Sequence, residues 1–251
     1  MRPDKTTITA VIPTLDEEAN LAAAITNLKA AGFDEIIVCD GGSTDRTRDI
    51  AASFEGVDLV STTRGRGRQL AAGVAAATSP VVAMVHADCR LPGDAGEAIR
   101  RVATDGAVAA GCFRVAFDQP GLLLGLYGWF SRFDTPFTTF GDQVIFARRD
   151  VLIATGGVQE LPLFEDVVLR KRLRRAGRFV KLRQSVLTSA RRYRRHGVLA
   201  TQALNGLLLV AFLAGWPASS LYRLYYGVPA GPVDRHELGS HSPGGSNPSV
   251  S

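Results

Sequence analysis

Ile8-Thr-Ala-Val-Ile-Pro13 is a short apolar run, followed by Asp16-Glu-Glu18 and then by Leu21, Ile25 and Leu28 at helical spacing, with Gly32 placed to end the helix. That order, strand then polar turn then amphipathic helix, is repeated. Glu35–Asp40 reads as a second strand, and Ser43 is expected to cap a helix carrying Ile50 and Phe54. Val57–Thr62 gives a third strand, and Leu70 with Val74 marks a third helix. Pro80–Val85 gives a fourth strand, and Pro92 opens the helix bearing Ile99 and Val102. Apolar strands separated by helices of this length predict an α/β fold, with a mainly parallel sheet covered on both faces.

In such sheets a ligand sits beyond the carboxyl ends of the strands. Asp16, Asp40 and Asp88 follow strands one, two and four, so three acids gather at that edge. Acids favour turns and helix starts in any case, which accounts for one of them more easily than for three. The turn after the first strand has no glycine, which excludes a dinucleotide fingerprint, and no phosphate-loop pattern occurs.

The second half is less regular. Val108–Phe117 reads as a long strand, Gly141–Arg148 contains another, Glu165–Ala176 is a helix ended by Gly177, and Phe179–Leu182 is a short strand. The division expected is one domain over 1–228. Within it, 6–105 is the nucleotide-binding half, 106–196 the acceptor and catalytic half, and 197–228 an apolar segment. A Pro-, Gly- and Ser-rich tail at 229–251 is expected to be disordered.

Val11-Ile-Pro-Thr-Leu-Asp-Glu-Glu18, Val38-Cys-Asp-Gly-Gly-Ser-Thr-Asp45 and His86-Ala-Asp-Cys-Arg-Leu-Pro92 together resemble the family 2 glycosyltransferases of GT-A fold. Gly141-Asp-Gln143, Glu165-Asp166 and Thr188-Ser-Ala-Arg-Arg-Tyr193 follow in the family's order, so the resemblance covers about residues 6 to 226. It is greatest to a bacterial subgroup whose metal motif reads His-Ala-Asp. It implies inverting transfer of a sugar from a UDP- or GDP-linked donor.

The resemblance also implies roles. Pro13, Thr14, Glu17, Glu18, Asp40, Gly41 and Ala87 would contact the donor, with Asp40 accepting hydrogen bonds from its base. The loop Arg64-Gly-Arg-Gly-Arg68, with Arg64, Gly67 and Arg68 its foremost contacts, suits the diphosphate, since guanidinium forks match phosphate oxygens and glycine lets backbone approach. Arg191 and Arg192 would close over it from a late loop. Asp88 would hold a divalent cation, Mn²⁺ or Mg²⁺, with His86 as a second ligand or a hydrogen-bonding neighbour. Asp166 would be the general base, with Glu165 beside it; on a helix adjacent side chains diverge, so one of the two points into the site. Gly141, Asp142 and Gln143 would border the acceptor pocket, the acceptor itself being unidentified.

The chain carries a net charge of +5, and between Arg170 and Arg195 twelve Lys or Arg occur with no acid. Tyr193 is the one aromatic there suited to stack on a base, so no nucleic-acid partner is expected. Gly197–Tyr222 lacks charge but contains Thr201, Gln202, Asn205 and Pro217. Its flanking arginines and Trp216 suit peripheral membrane contact through 197–228 rather than a span, the alternative being a core helix or an oligomer contact. With no apolar leader near the start, the expected location is cytoplasmic, at the inner face of the membrane. Three cysteines, Cys39, Cys89 and Cys112, lack metal-ligand spacing and read as reduced thiols. The competing classes are a nucleotide-sugar-binding regulator without turnover and a basic nucleic-acid-binding module.

Overall fold

A computed structural model describes residues 6–135, 138–139, 141–190 and 197–227. The first half alternates as expected: β1 (Ile8–Thr14), α1 (Leu21–Ala30), β2 (Glu35–Asp40), α2 (Thr47–Ser53), β3 (Val57–Ser61), α3 (Arg66–Ala76), β4 (Val81–Met84) and α4 (Ala95–Ala103). Then come β5 (Val108–Phe117), α5 (Leu122–Phe130), a 3-10 turn at Gly141–Gln143, β6 (Ile145–Arg148), α6 (Arg149–Ala154), α7 (Glu165–Ala176) and β7 (Arg178–Thr188). Two last helices, α8 (Val198–Leu213) and α9 (Ala218–Tyr226), complete the described chain.

The strands form one seven-stranded sheet in the order β3-β2-β1-β4-β6-β5-β7. Only β6 runs antiparallel to its neighbours, β4 and β5. Period-two alternation sends Ile8, Ala10 and Ile12 to one face, where Leu21, Ile25, Leu28, Ala51 and Ile99 bury them. Val11, Ile37 and Cys39 face the other way, against Leu70, Val74, Leu169 and Leu173. Each fully buried Ile or Leu contributes about 1.5–3 kcal/mol, so the two apolar layers fix the α/β arrangement. Gly73 lets α3 approach closely. A Cβ there would lie 2.2 Å from Val11 Cγ1 and 2.7 Å from Cys39 Sγ.

Several expectations need correction. Helix α2 begins at Thr47, not at Ser43, because Ser43 is engaged by Asp40 instead. Phe54 lies just beyond that helix. Pro92 only starts the lead-in to α4, its carbonyl accepting from the Ala95 N–H at 3.0 Å. The short strand expected at Phe179–Leu182 runs on to Thr188, since β7 pairs with β5 past two register shifts. The segment after Gly197 is two helices broken around Gly215 and Pro217. All three cysteines are free and buried. Residues 229–251 lie outside the described residues.

Candidate active site

The loops after β1 and β2 are bound to each other. Asp16 takes a left-handed φ of 54°, and its Oδ1 accepts from the Thr44 N–H at 2.8 Å. The Glu17 N–H donates to Thr47 Oγ1 at 2.7 Å and the Glu18 N–H to Asp45 Oδ2 at 3.0 Å. Asp40 is fully buried, with Oδ2 accepting from the Gly42 and Ser43 N–H groups at 3.0 and 3.1 Å and Oδ1 accepting from the Ser43 hydroxyl. Its carboxylate therefore organises the turn that follows β2. Pro13 and Thr14 end β1, and the Thr14 carbonyl accepts from the Gly41 N–H at 2.9 Å.

A residue not singled out from the sequence fastens these strand ends. Gln69, buried on α3, donates from Nε2 to the Thr14 carbonyl at 2.6 Å and to the Cys39 carbonyl at 2.9 Å. Gly41 sits against it; a Cβ there would meet Gln69 Nε2 at 2.9 Å. The signal for Gln69 was a lone amide one turn into an otherwise apolar helix face, which polar burial rules flag only once the helix is placed.

The arginine-glycine run is half loop and half helix. Arg64 is exposed, Gly65 takes a φ of 148°, and α3 starts at Arg66. The first turn of α3 thus adds its positive dipole end to Arg66 and Arg68, with no acid in that turn. Arg68 is held by Glu160, Nε to Oε2 at 2.9 Å, and donates to Thr63 Oγ1 at 2.6 Å. Gly67 is small for a different reason from the one expected. A Cβ there would fall 2.4 Å from the Gln159 carbonyl oxygen, so the chain itself occupies that approach.

Arg66 is the centre of the site, where the sequence had placed it only as one member of the diphosphate loop. Its Nη2 lies 2.7 Å from His86 Nε2. Arginine has no acceptor, so the guanidinium donates and the imidazole carries its own proton on Nδ1. Its Nε lies 3.0 Å from Glu165 Oε1, off the N–H axis, so that contact is an ion pair rather than a hydrogen bond. Burial alone would lower the Arg66 pKa, but Glu165, Asp166 and Asp142 outweigh it and raise it.

Three acids flank this cation. Glu165 is buried at the start of α7, where burial pushes its carboxyl upward, opposed by Arg66 and reinforced by Asp166. Asp166 is half-buried, and its Oδ1 accepts from the Val167 N–H at 2.8 Å. Phe164, just before them, is held at a left-handed φ of 66° and stacks on Phe212 of α8 at 4.9 Å. A bulky residue in that region is strained, so packing from α8 fixes the direction in which α7 begins. Asp142 has an Oδ1 sealed from solvent without a hydrogen-bond partner. Burial, with Asp166 and Asp88 nearby and Arg66 opposing, pushes its carboxyl up to about 6.

Asp88 is exposed just past β4, His86 is half-buried and Ala87 is buried. Gln143 is fully buried, donating to the Thr138 carbonyl at 2.5 Å and accepting from Lys181. It braces the Gly141–Gln143 turn from inside, leaving Asp142 as the side chain of that turn that reaches the acids. Arg191 and Arg192 lie outside the described residues. Among the described residues, no three His, Cys, Asp or Glu side chains converge on a metal position. What fits a hard cation is an open seat: Asp88, with the orphan acceptor of Asp142 near, completed by substrate oxygens. His86 Nε2 is already engaged by Arg66.

Sequence comparison gives an independent finding. The profile of glycosyl transferase family 2 matches residues 9–156. Curated relatives include an uncharacterized glycosyltransferase of Mycobacterium tuberculosis, 38% identical over 96 residues, which are 38% of this chain and 42% of the relative. The chain thus aligns with less than half the length of the curated relatives it matches. Among solved structures, a mannosyltransferase from Pyrobaculum calidifontis in complex with GDP-Man and Mn²⁺ superposes with a TM-score of 0.65 at 19% identity, over 86% of this chain and 67% of that one. Glucosyl-3-phosphoglycerate synthase from Mycobacterium tuberculosis, with Mn²⁺, UDP and glucosyl-3-phosphoglycerate, gives 0.56 at 20% identity over 84% and 81%. The TarS protein of S. aureus with UDP-GlcNAc gives 0.62 at 15% over 74% and 59%. These likenesses establish the GT-A architecture.

Proposed function

This chain belongs to glycosyl transferase family 2, and from that premise we propose that it transfers a sugar, with inversion, from a UDP- or GDP-linked donor to an acceptor presented at a membrane surface. One observation carries the reading: Asp142 and Asp166, with Asp88 near, surround the Arg66 cation at the carboxyl edge of a parallel sheet. That edge is where such folds bind nucleotides, and the solved neighbours hold GDP-Man, UDP-GlcNAc or UDP.

Asp166 takes the acceptor's hydroxyl proton. Glu165 is unsuited, being buried against Arg66, whereas Asp166 keeps solvent contact at the positive end of α7. Thr14, Glu17, Glu18 and Asp40 shape the nucleoside end, with Pro13, Gly41 and Ala87 as backbone walls. Arg64, Arg66 and Arg68 face the diphosphate, and a contact with it is proposed for Arg191 and Arg192 from their motif alone. Mn²⁺ or Mg²⁺, held by Asp88 and diphosphate oxygens, would neutralise charge on the leaving group. Asp142, at the mouth of the irregular half, orients the acceptor.

Support for the membrane surface comes from α8 and α9. Leu199, Leu207, Val210, Leu213, Trp216 and Leu224 are all more than half exposed. No acid occurs from Val167 to Val233, while in sequence the arginines at 191–195 precede the apolar stretch and Arg223 follows Trp216, as an anionic bilayer surface favours. Among the described residues no helix is long and apolar enough to cross a membrane. Calorimetric titration with UDP and GDP, with and without Mn²⁺, tests the donor class. Binding of one nucleotide, strengthened by Mn²⁺ and weakened in Asp88→Ala, is expected; binding of neither overturns the reading.

A further inference from the structure

A cavity lies beneath α5, lined by none of the acids described above. Strand β6 ends opposite Cys112, so the edge of β5 beyond that point loses its strand partner. Helix α5 covers the edge instead, and Ser131 replaces one missing ladder bond by accepting from the Val115 N–H at 3.0 Å. A space of about 370 Å³ remains between helix and strand, within the range of small-molecule sites.

Its lining has a definite chemistry. Gly121, Gly125 and Gly128 line it from α5 and its first cap, at the i, i+4, i+7 spacing that puts them on one face. Val115, Phe117 and Leu124 supply apolar wall, and Arg114 and Arg132 the only charges among the described residues. Neither arginine meets a carboxylate among the described residues. Arg132 lies over the Trp129 ring at 4.7 Å, and Arg114 Nε is sealed from solvent with no hydrogen-bond partner. A buried donor without an acceptor is costly, so Arg114 brings an unmet donor to a space that the exposed Arg132 also lines.

We propose that this cavity binds a small organic oxyanion, a phosphate or carboxylate head on an apolar body, with Arg114 and Arg132 holding the head and the α5 glycine face admitting the body. The assignment stands apart from the sugar-transfer reading and uses none of its residues.

Phenyl phosphate is the probe, with inorganic phosphate and phenol as the two halves, each titrated calorimetrically. Phenyl phosphate is expected to bind once per chain, at least tenfold tighter than either half. Arg114→Gln should weaken it at least tenfold, and Gly125→Leu, which leaves both arginines in place but fills the space, should abolish it. Thermal unfolding midpoints check that both variants fold. Equal affinity for phenyl phosphate and inorganic phosphate, or indifference to both substitutions, would overturn the proposal in favour of diffuse attraction to a cationic chain. Displacement by UDP or GDP would overturn it in favour of the donor site, and no binding at millimolar concentration would overturn it outright.

Discussion

Arg66 Nη2 donates to His86 Nε2 across 2.7 Å. The imidazole lone pair that a metal would need is thereby engaged, and the first position of the His86-Ala87-Asp88 motif serves to hold a guanidinium. In the presence of the nucleotide that binds, Mn²⁺ affinity measured by electron paramagnetic resonance should change less than threefold in His86→Ala and fall at least tenfold in Asp88→Ala. Equal losses in the two variants would make His86 a ligand instead.

Arg66 also offsets the buried Glu165 carboxylate. Removing one partner of a buried pair costs about 3–5 kcal/mol, but the Arg66 side chain keeps 36% of its exposure, so solvent screening brings the expectation to about 1–3 kcal/mol for Arg66→Ala. The double variant Arg66→Ala/Glu165→Gln should recover part of that loss in denaturant unfolding. Equal stability of the single and double variants would show that no such pairing operates.

Asp142 gives the chain a pH dependence. Its folded carboxyl is pushed up to about 6, against an unfolded value of about 3.9. Raised on folding, it favours the protonated native state. Its contribution is complete below about pH 4 and is lost as pH rises through about 6, by about 1–3 kcal/mol. Asp142→Asn should therefore be more stable than the parent chain at pH 7 and nearly equal to it at pH 4, in metal-free buffer. A stability difference independent of pH would contradict the assignment.

Gly73→Ala tests how α3 carries the site. The added Cβ would overlap Val11 Cγ1 at 2.2 Å, and overpacking of this kind costs about 1–3 kcal/mol. Nucleotide binding should fall with it, since Gln69 and Arg66 ride on the same helix. Unchanged stability would mean that α3 does not pack as described.

The first half was readable because its strands are apolar on both faces and its helices apolar on one. Ile8–Pro13 and Leu21–Leu28 leave no second reading once Gly32 closes the helix. Arg66 read as part of a loop because Gly65 and Gly67 give the run that composition, and only the packing of Gly67 on Gln159 shows a helix beginning there. Helix α5 escaped because Gly121, Gly125 and Gly128 blur its periodicity. The extent of β7 was hidden for another reason: Arg183 and Gln184 continue an edge strand whose partner, β5, is about seventy residues away. Pairings of that range leave no local signal.

Membrane contact has its own test. Cosedimentation with vesicles containing anionic lipid should exceed that with neutral vesicles, decline with salt, and drop at least fivefold in Leu207→Glu/Val210→Glu. Persistence in that variant would exclude α8 as the contact. If a concentration-dependent dimer in solution is lost with the same substitutions while vesicles do not compete, the face belongs to a second copy.

The most direct test of sugar transfer is nucleoside-diphosphate release from a panel of UDP- and GDP-sugars with water as acceptor, in Mn²⁺, for the parent chain, Asp88→Ala and Asp166→Asn. Release from one donor, abolished by chelator and reduced at least 10²-fold in Asp166→Asn, is the predicted result. Nucleotide binding with no release from any donor would contradict it and leave a sugar-nucleotide sensor in its place.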